Sequence, residues 1–203
     1  AATRPMTEIS RVLGLDPGPR VTGWGVVERV GLGMRLVGYG TIRPPASATP
    51  CERLEFIYDG LKGVIAEQRP QATCVEEAFA GRNVRSAFRL AEARAICMLI
   101  SQQAGCAVHE LPPALIKKAV TGHGRASKEG VRCAVLQILD WAEDAPPPAL
   151  DASDALAGAI CTLQRLQTPG ALLAGGALGR RRRKRSRRWT LEDVARVRGE
   201  ERA

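Results

Sequence analysis

The stretch LGLDPGPRVTGWGVV, residues 13–27, constrains the fold more than any other part of the chain. A short apolar run ends in Asp16 and is followed at once by Pro17 and Gly18. Proline disfavours the helical region for the residue before it, so Asp16 stays extended and projects from a strand tip. Gly18 admits a left-handed turn and a close backbone approach. The chain must therefore present a carboxylate at the end of one strand and turn back into another, over residues 21–28. Glycines at 23 and 25 bare the backbone of that returning strand beside the aspartate, leaving room for something to fit. Asp-Pro-Gly is also ordinary turn chemistry. The turn alone does not separate a structural carboxylate from a functional one.

The rest of the pattern supplies the layers. Segments near 9–16, 21–28 and 34–42 are rich in Val, Leu and Gly and are separated by turn residues, which predicts an antiparallel meander. Apolar residues at 54, 57, 61 and 64 or 65 then repeat with the helical period, and Pro70 closes that helix. QATCVEEAF reads as a fourth strand. A long helix follows, with apolar positions at 84, 87, 88, 91, 95, 96 and 99, and CAVHEL is a short fifth strand. PPALIKKAV, SKEGVRCAVLQILDW and DASDALAGAICTLQRL complete the chain as helices. This order predicts an α/β fold: a mixed five-stranded sheet flanked by helices on both faces. With 203 residues, one well-buried domain over 9–168 is expected, between an N-terminal extension (1–8) and a basic tail (169–203).

Charge is concentrated in that tail. Residues 180–203 carry 11 Lys/Arg against 4 Asp/Glu, a net +7 of the chain's +9, so the body is nearly neutral. The basic run follows the Gly-rich PGALLAGGALG and reads as a solvated segment suited to nonspecific, salt-sensitive phosphate binding. The six cysteines show no CxxC pairing and no zinc spacing, which suits reduced thiols. No run approaches the ~18 apolar residues of a membrane span, and the N-terminus lacks the order of a signal peptide. A cytoplasmic location is expected.

Four acids matter. Asp16 ends the first strand and Glu76 or Glu77 ends the fourth. Parallel strands would bring their tips together, and alternation of side chains allows only one of the two glutamates to join Asp16. Asp151 and Asp154, three apart, share a helical face. Taken by themselves they favour a capping box at the helix start. Small residues at 155, 157, 158 and 159 would nevertheless let that helix lie close to the sheet, so that its acids reach the strand ends. Converging carboxylates need a cation between them, and hard oxygen ligands suit magnesium or manganese. Such a site offers two-metal phosphodiester hydrolysis. The two histidines lack ligand spacing, and His123, between glycines, reads as a loop residue.

Four motifs in register, LGLDPGPRVTGWGVV, VEEAFAGRNVRSAFRLAEARA, ALIKKAVTGHGRASKEGV and DASDALAGAI, closely resemble the RuvC family of Holliday junction resolvases. The resemblance spans residues 12–166. It implies a ribonuclease H-like fold, a homodimer, and a divalent-metal endonuclease that nicks two opposing strands of a four-way DNA junction, leaving 5′-phosphate and 3′-hydroxyl ends. By the same resemblance Asp16, Glu76, Asp151 and Asp154 are metal ligands for Mg2+ or Mn2+, two ions per site, and Glu77 stands outside. Lys117 and Lys128 match lysines near the scissile phosphate. Phe79 matches a residue that stacks on an unpaired base, and Asn83, Arg85 and Arg125, beside the motifs, are candidates for phosphate contact. The helix from 84 to 101 resembles the dimer interface. A branch-migration motor is a further possible partner.

Two rival classes account for part of the pattern. An actin-like ATPase also carries an Asp-x-Gly turn, but that class needs two such domains and an adenosine-binding glycine motif, for which this chain has neither room nor sequence. A noncatalytic nucleic-acid module fits the basic tail yet leaves the four acids unexplained, since acids facing phosphate cost affinity unless a metal intervenes.

Overall fold

The computed structural model describes residues 9–77, 84–142 and 144–167. The predicted extension and tail, with Phe79 and Asn83, lie outside the described residues. Strands β1 (Arg11–Asp16), β2 (Thr22–Val30) and β3 (Gly33–Ile42) form the expected meander. Helix α1 (Pro50–Gln68) leads to β4 (Ala72–Glu76), and α2 (Val84–Gln103) to β5 (Ala107–Leu111). Helices α3 (Pro113–Thr121), α4 (Lys128–Ile138) and α5 (Leu150–Gln167) follow. The sheet order is β3-β2-β1-β4-β5, with β1, β4 and β5 parallel and the first two hairpin pairs antiparallel.

Local chemistry sets the element ends. Thr49 and Glu52 form a reciprocal capping box at the start of α1, and Arg69 in the left-handed region (φ 49°) ends it just before Pro70. Ser127 caps α4 through a bond from the Gly130 N–H at 3.1 Å. Gly122 ends α3 at φ 78°, a conformation in which glycine has no Cβ to clash.

Alternation along the central strands splits the core in two. Val12, Ala72 and Cys74 face α3, α4 and α5, packing with Ile116, Val131, Val135, Leu156 and Ile160. Leu13, Leu15 and Val75 face the opposite side, against Ile57 and Leu61 of α1 and Ala93 and Cys97 of α2. Helix α5 lies between the sheet and the α3–α4 pair, and so is buried nearly all round along residues 152–163.

The contact of α5 with the sheet is unusually close, and small residues make it so. A Cβ at Gly14 would lie 1.8 Å from the Ala155 carbonyl oxygen, and one at Gly23 would lie 2.1 Å from the Asp151 carbonyl oxygen. Helix α5 is thus what fits against the bare backbone of β2. Gly14→Ala should remove more than about 3 kcal/mol of stability, because the obstacle is backbone and cannot rotate away. Gly63→Ala, in α1 with nothing within 4 Å of the added Cβ, should be neutral or stabilising by up to about 1 kcal/mol. Urea denaturation of both variants tests the contact, and equal stabilities would contradict it.

Candidate active site

Two parallel strand ends carry the first two acids. Leu15 pairs with Val75, so the next residues in register are Asp16 and Glu76. Both share the parity of Val12, Gly14, Ala72 and Cys74, and therefore point to the α5 side of the sheet. Glu77 is one step further and opposite in parity; its backbone N–H binds the Leu111 carbonyl at 2.9 Å. The turn after Asp16 is closed by the Thr22 hydroxyl on the Gly18 carbonyl, 3.1 Å. Gly18 is not left-handed, contrary to expectation: the positive-φ glycines among the described residues are Gly31, Gly105 and Gly122. It is needed for the close approach, since a Cβ there would meet the Val21 carbonyl oxygen at 2.3 Å.

Asp151 and Asp154 come from the first turns of α5. The capping-box reading of this pair is overturned. The helix begins at Leu150, where the Ala149 carbonyl accepts from the Ser153 N–H at 2.9 Å, so Asp151 already lies inside the helix and Asp154 a turn later. The helix start is held instead by packing of its small residues on β1 and β2, which frees both carboxylates for other work.

The acids feel one another. Burial, reinforced by the charges of Glu76, Asp154 and Asp151, pushes Asp16 up to about 7, against a partial offset from Lys128. Glu76 is raised by burial and by Asp154, with Lys128 and Lys117 pulling the other way. The Lys128 ammonium, at the N-terminus of α4, sits 2.7 Å from an Asp154 carboxylate oxygen. Burial works against that ammonium, but its bond to Asp154 and the charges of Asp154, Asp16 and Asp151 outweigh burial and raise its pKa.

Six of the singled-out residues therefore share one locality: Asp16, Glu76, Asp151, Asp154, Lys117 and Lys128. Lys117 donates to the Ala126 carbonyl at 2.8 Å, tying α3 to the loop before α4. Arg125 is exposed on that loop, as is His123. Arg85 is not in this cluster. It lies in the first turn of α2, beside Arg20, Arg53 and Arg89. Arg94 has a role that periodicity could not reveal: its Nε donates to the Glu76 backbone carbonyl at 3.0 Å while its guanidinium pairs with Glu110, fixing the end of β4.

The donor set is carboxylate oxygen without sulfur or imidazole, and burial first, then the neighbouring acids, raises Asp16 and Glu76 despite the nearby lysines. That chemistry fits a hard divalent cation. In this conformation no three His, Cys, Asp or Glu side chains among the described residues close on a single ion position, and Lys128 is the counter-charge in contact with Asp154.

A mixed sheet in this order, helices on both faces and acids at adjacent strand ends and on the helix crossing them define a ribonuclease H-like protein. The chain matches the family Crossover junction endodeoxyribonuclease RuvC over residues 12–162 and belongs to that family. A Halorhodospira halophila relative named Crossover junction endodeoxyribonuclease RuvC is 43% identical over 169 residues, covering 83% of this chain and 99% of its own length. One from Azorhizobium caulinodans, with the same name, is 44% identical over 150 residues, 74% of this chain and 87% of its own. Among solved structures, T. thermophilus RuvC in complex with Holliday junction substrate superposes with a TM-score of 0.68 at 33% identity, covering 75% of this chain and 92% of that one. Yeast mitochondrial Holliday junction resolvase Ydc2 has a TM-score of 0.59 at 10% identity over 84% of this chain and 83% of that one, a likeness of fold. Nucleases of this family depend on a divalent metal.

Proposed function

We propose that this chain resolves four-way DNA junctions by hydrolysing one phosphodiester in each of two opposing strands, leaving 5′-phosphate and 3′-hydroxyl ends. One observation carries the proposal: in a chain of the RuvC family, Asp16, Glu76, Asp151 and Asp154 come from β1, β4 and α5 into a single electrostatically coupled cluster.

Those four carboxylates would hold Mg2+, with Mn2+ as a substitute, at two ions per site. When bound, such ions lower the pKa of an attacking water and neutralise charge on the leaving oxygen. The chain's own residues do the rest. Lys128, whose ammonium already lies on Asp154, and Lys117, near Glu76, meet the scissile phosphate as it approaches the acids. The end of β4, braced by Arg94, holds the Glu76 carboxylate in place beside the end of β1, which carries Asp16. Phe79, stacking on an unpaired base, and Asn83, Arg85 and Arg125, on phosphates, complete the contacts with the junction.

The working unit is a homodimer, because one site per chain cuts one strand at a time and a twofold pair addresses two strands of like polarity. Helix α2 supports this. Its sheet-facing residues are Ala93, Cys97 and Ile100, whereas Val84 (66% exposed), Phe88 (66%) and Leu99 (49%) form an outward apolar stripe with Ala91 and Ala95. The sequence pattern placed these apolar positions on α2 without saying which face they take. The protein works in the cytoplasm, where a branch-migration motor could deliver junctions; among the described residues no helix is long and apolar enough to cross a membrane.

The test offers a synthetic immobile four-way junction, a linear duplex and a forked flap to the protein with magnesium, with manganese or with chelator. Paired nicks in the junction alone, sealable by ligase and absent with chelator, are the expected result. Equal cutting of all three substrates would sink the proposal.

A further inference from the structure

Beside the turn that leaves Asp16, but on the α1–α2 side of the sheet, lies a depression of roughly 390 Å3 lined by Pro19, Arg20, Arg53, Arg85, Ser86 and Arg89. Four of its six lining residues are arginines and none is acidic. The arginines come from three places: the β1–β2 turn, the first turn of α1, and two successive turns of α2.

Their charges are poorly neutralised. Arg53 spends its Nε on the Ala48 carbonyl (2.9 Å) and one terminal nitrogen on the Ala46 carbonyl (2.6 Å). Two uncharged acceptors thus hold its guanidinium in place, leaving three of its five N–H donors for a ligand. Arg89 has a weak pair with Glu92 at 3.9 Å. Arg20 and Arg85 are exposed, and among the described residues neither has a carboxylate partner. Like charges converge here with nothing anionic among the lining residues, and planar guanidinium forks suit phosphate oxygens.

We infer that this depression is a cradle for a backbone phosphodiester of the DNA strand running on from the carboxylate cluster, an inference that rests on the nuclease reading above. Arg20 follows Asp16 by four residues, so the two Cα atoms are no more than about 14 Å apart. The arginine and aspartate side chains add their own reach to that span, so the held phosphate lies a few nucleotides from the cut. The cradle stands apart from Lys117 and Lys128, which serve the scissile phosphate on the other side of the sheet. Its work is positioning: it fixes which phosphate reaches the acids.

Arg20→Gln tests this, with Arg89→Gln as an independent second variant and Arg20→Lys as the conservative one. Each protein is titrated with the immobile junction across a range of salt. It is also given junctions carrying a single neutral methylphosphonate at successive positions around the cut. Wild-type protein should lose about tenfold in affinity from one such position a few nucleotides from the cut, as expected for one charged hydrogen-bonded contact. Arg20→Gln and Arg89→Gln should each lose about tenfold on the unmodified junction, show a salt slope shallower by about 0.7–0.9, and no longer respond to the methylphosphonate at that position. Arg20→Lys should recover the slope. Unchanged affinity, slope and methylphosphonate pattern in both glutamine variants would overturn the cradle, even if they had lost binding of free inorganic phosphate. A wild-type protein that failed to cut the junction at all would sink the nuclease reading instead, so the two failures are distinguishable.

Discussion

Asp16→Asn and Glu76→Gln should each cut a four-way junction on the order of a thousandfold more slowly than wild type, while binding that junction as tightly or more tightly. Each change keeps the shape of the side chain and removes one negative charge from a cluster of four. Such clusters work by concentrating charge where a divalent ion and a phosphate must meet, so losing one ligand removes much of the ion's hold. Binding has the opposite dependence. Acids facing a polyanion oppose it, and the arginines and lysines that attract phosphate are untouched. Glu77→Gln is the control: that side chain stands one residue past the strand with opposite parity, so its loss should leave cutting within a few-fold of wild type. Single-turnover cleavage alongside a binding titration in chelator separates the two effects. If Glu77→Gln proved as damaging as Glu76→Gln, the parity assignment would be wrong; if Asp16→Asn lost binding and cutting together, the acid would be holding the fold or the DNA.

The elements that place these acids were legible because each rests on local rules. Strand alternation from Val12 to Asp16 and from Ala72 to Glu76 is a period-of-two pattern, and it puts both carboxylates on one face once the strands pair in parallel. The run of small residues from Ala155 to Ala159 likewise announced a helix able to approach a glycine-rich sheet. The start of α5 misled because Asp151 and Asp154 have the spacing of a capping box, and spacing cannot tell whether the helix has already begun. Packing against Gly14 and Gly23 decided it, and that contact joins residues far apart in the chain. The arginine depression was illegible for the same reason. Arg20, Arg53, Arg85 and Arg89 belong to three elements that meet only when the sheet, α1 and α2 are assembled. The outward stripe of α2 lies between these cases: its periodicity showed an apolar face, but only the buried Ala93 and Cys97 show that a different face meets the sheet.

The same Asp16→Asn change that removes activity should make the metal-free protein more stable at neutral and alkaline pH. Asp16 ionises at about 7 in the folded chain, chiefly because it is buried and then because Glu76, Asp154 and Asp151 repel its charge, against an ordinary value of 3.8. At pH 3 the carboxyl is protonated in both folded and unfolded chains and costs nothing. As pH rises from about 4 towards 7, the unfolded chain gives up the proton and the folded chain keeps it, so the unfolded state is favoured progressively. Above pH 7 the full penalty is present, on the order of 4 kcal/mol at 1.36 kcal/mol per unit. Asparagine carries no such penalty. Urea denaturation in chelator should therefore show Asp16→Asn more stable than wild type by several kcal/mol at pH 8, with the difference shrinking steadily and vanishing near pH 3–4. Magnesium at saturating concentration should narrow the gap at pH 8, because an ion bound by the folded state alone stabilises wild type and has lost a ligand in the variant. A pH-independent gap would mean that shape or hydrogen bonding, not charge, sets the strain at this strand end, and a variant less stable than wild type at pH 8 in chelator would show that burial and the neighbouring acids together do not penalise an ionised Asp16.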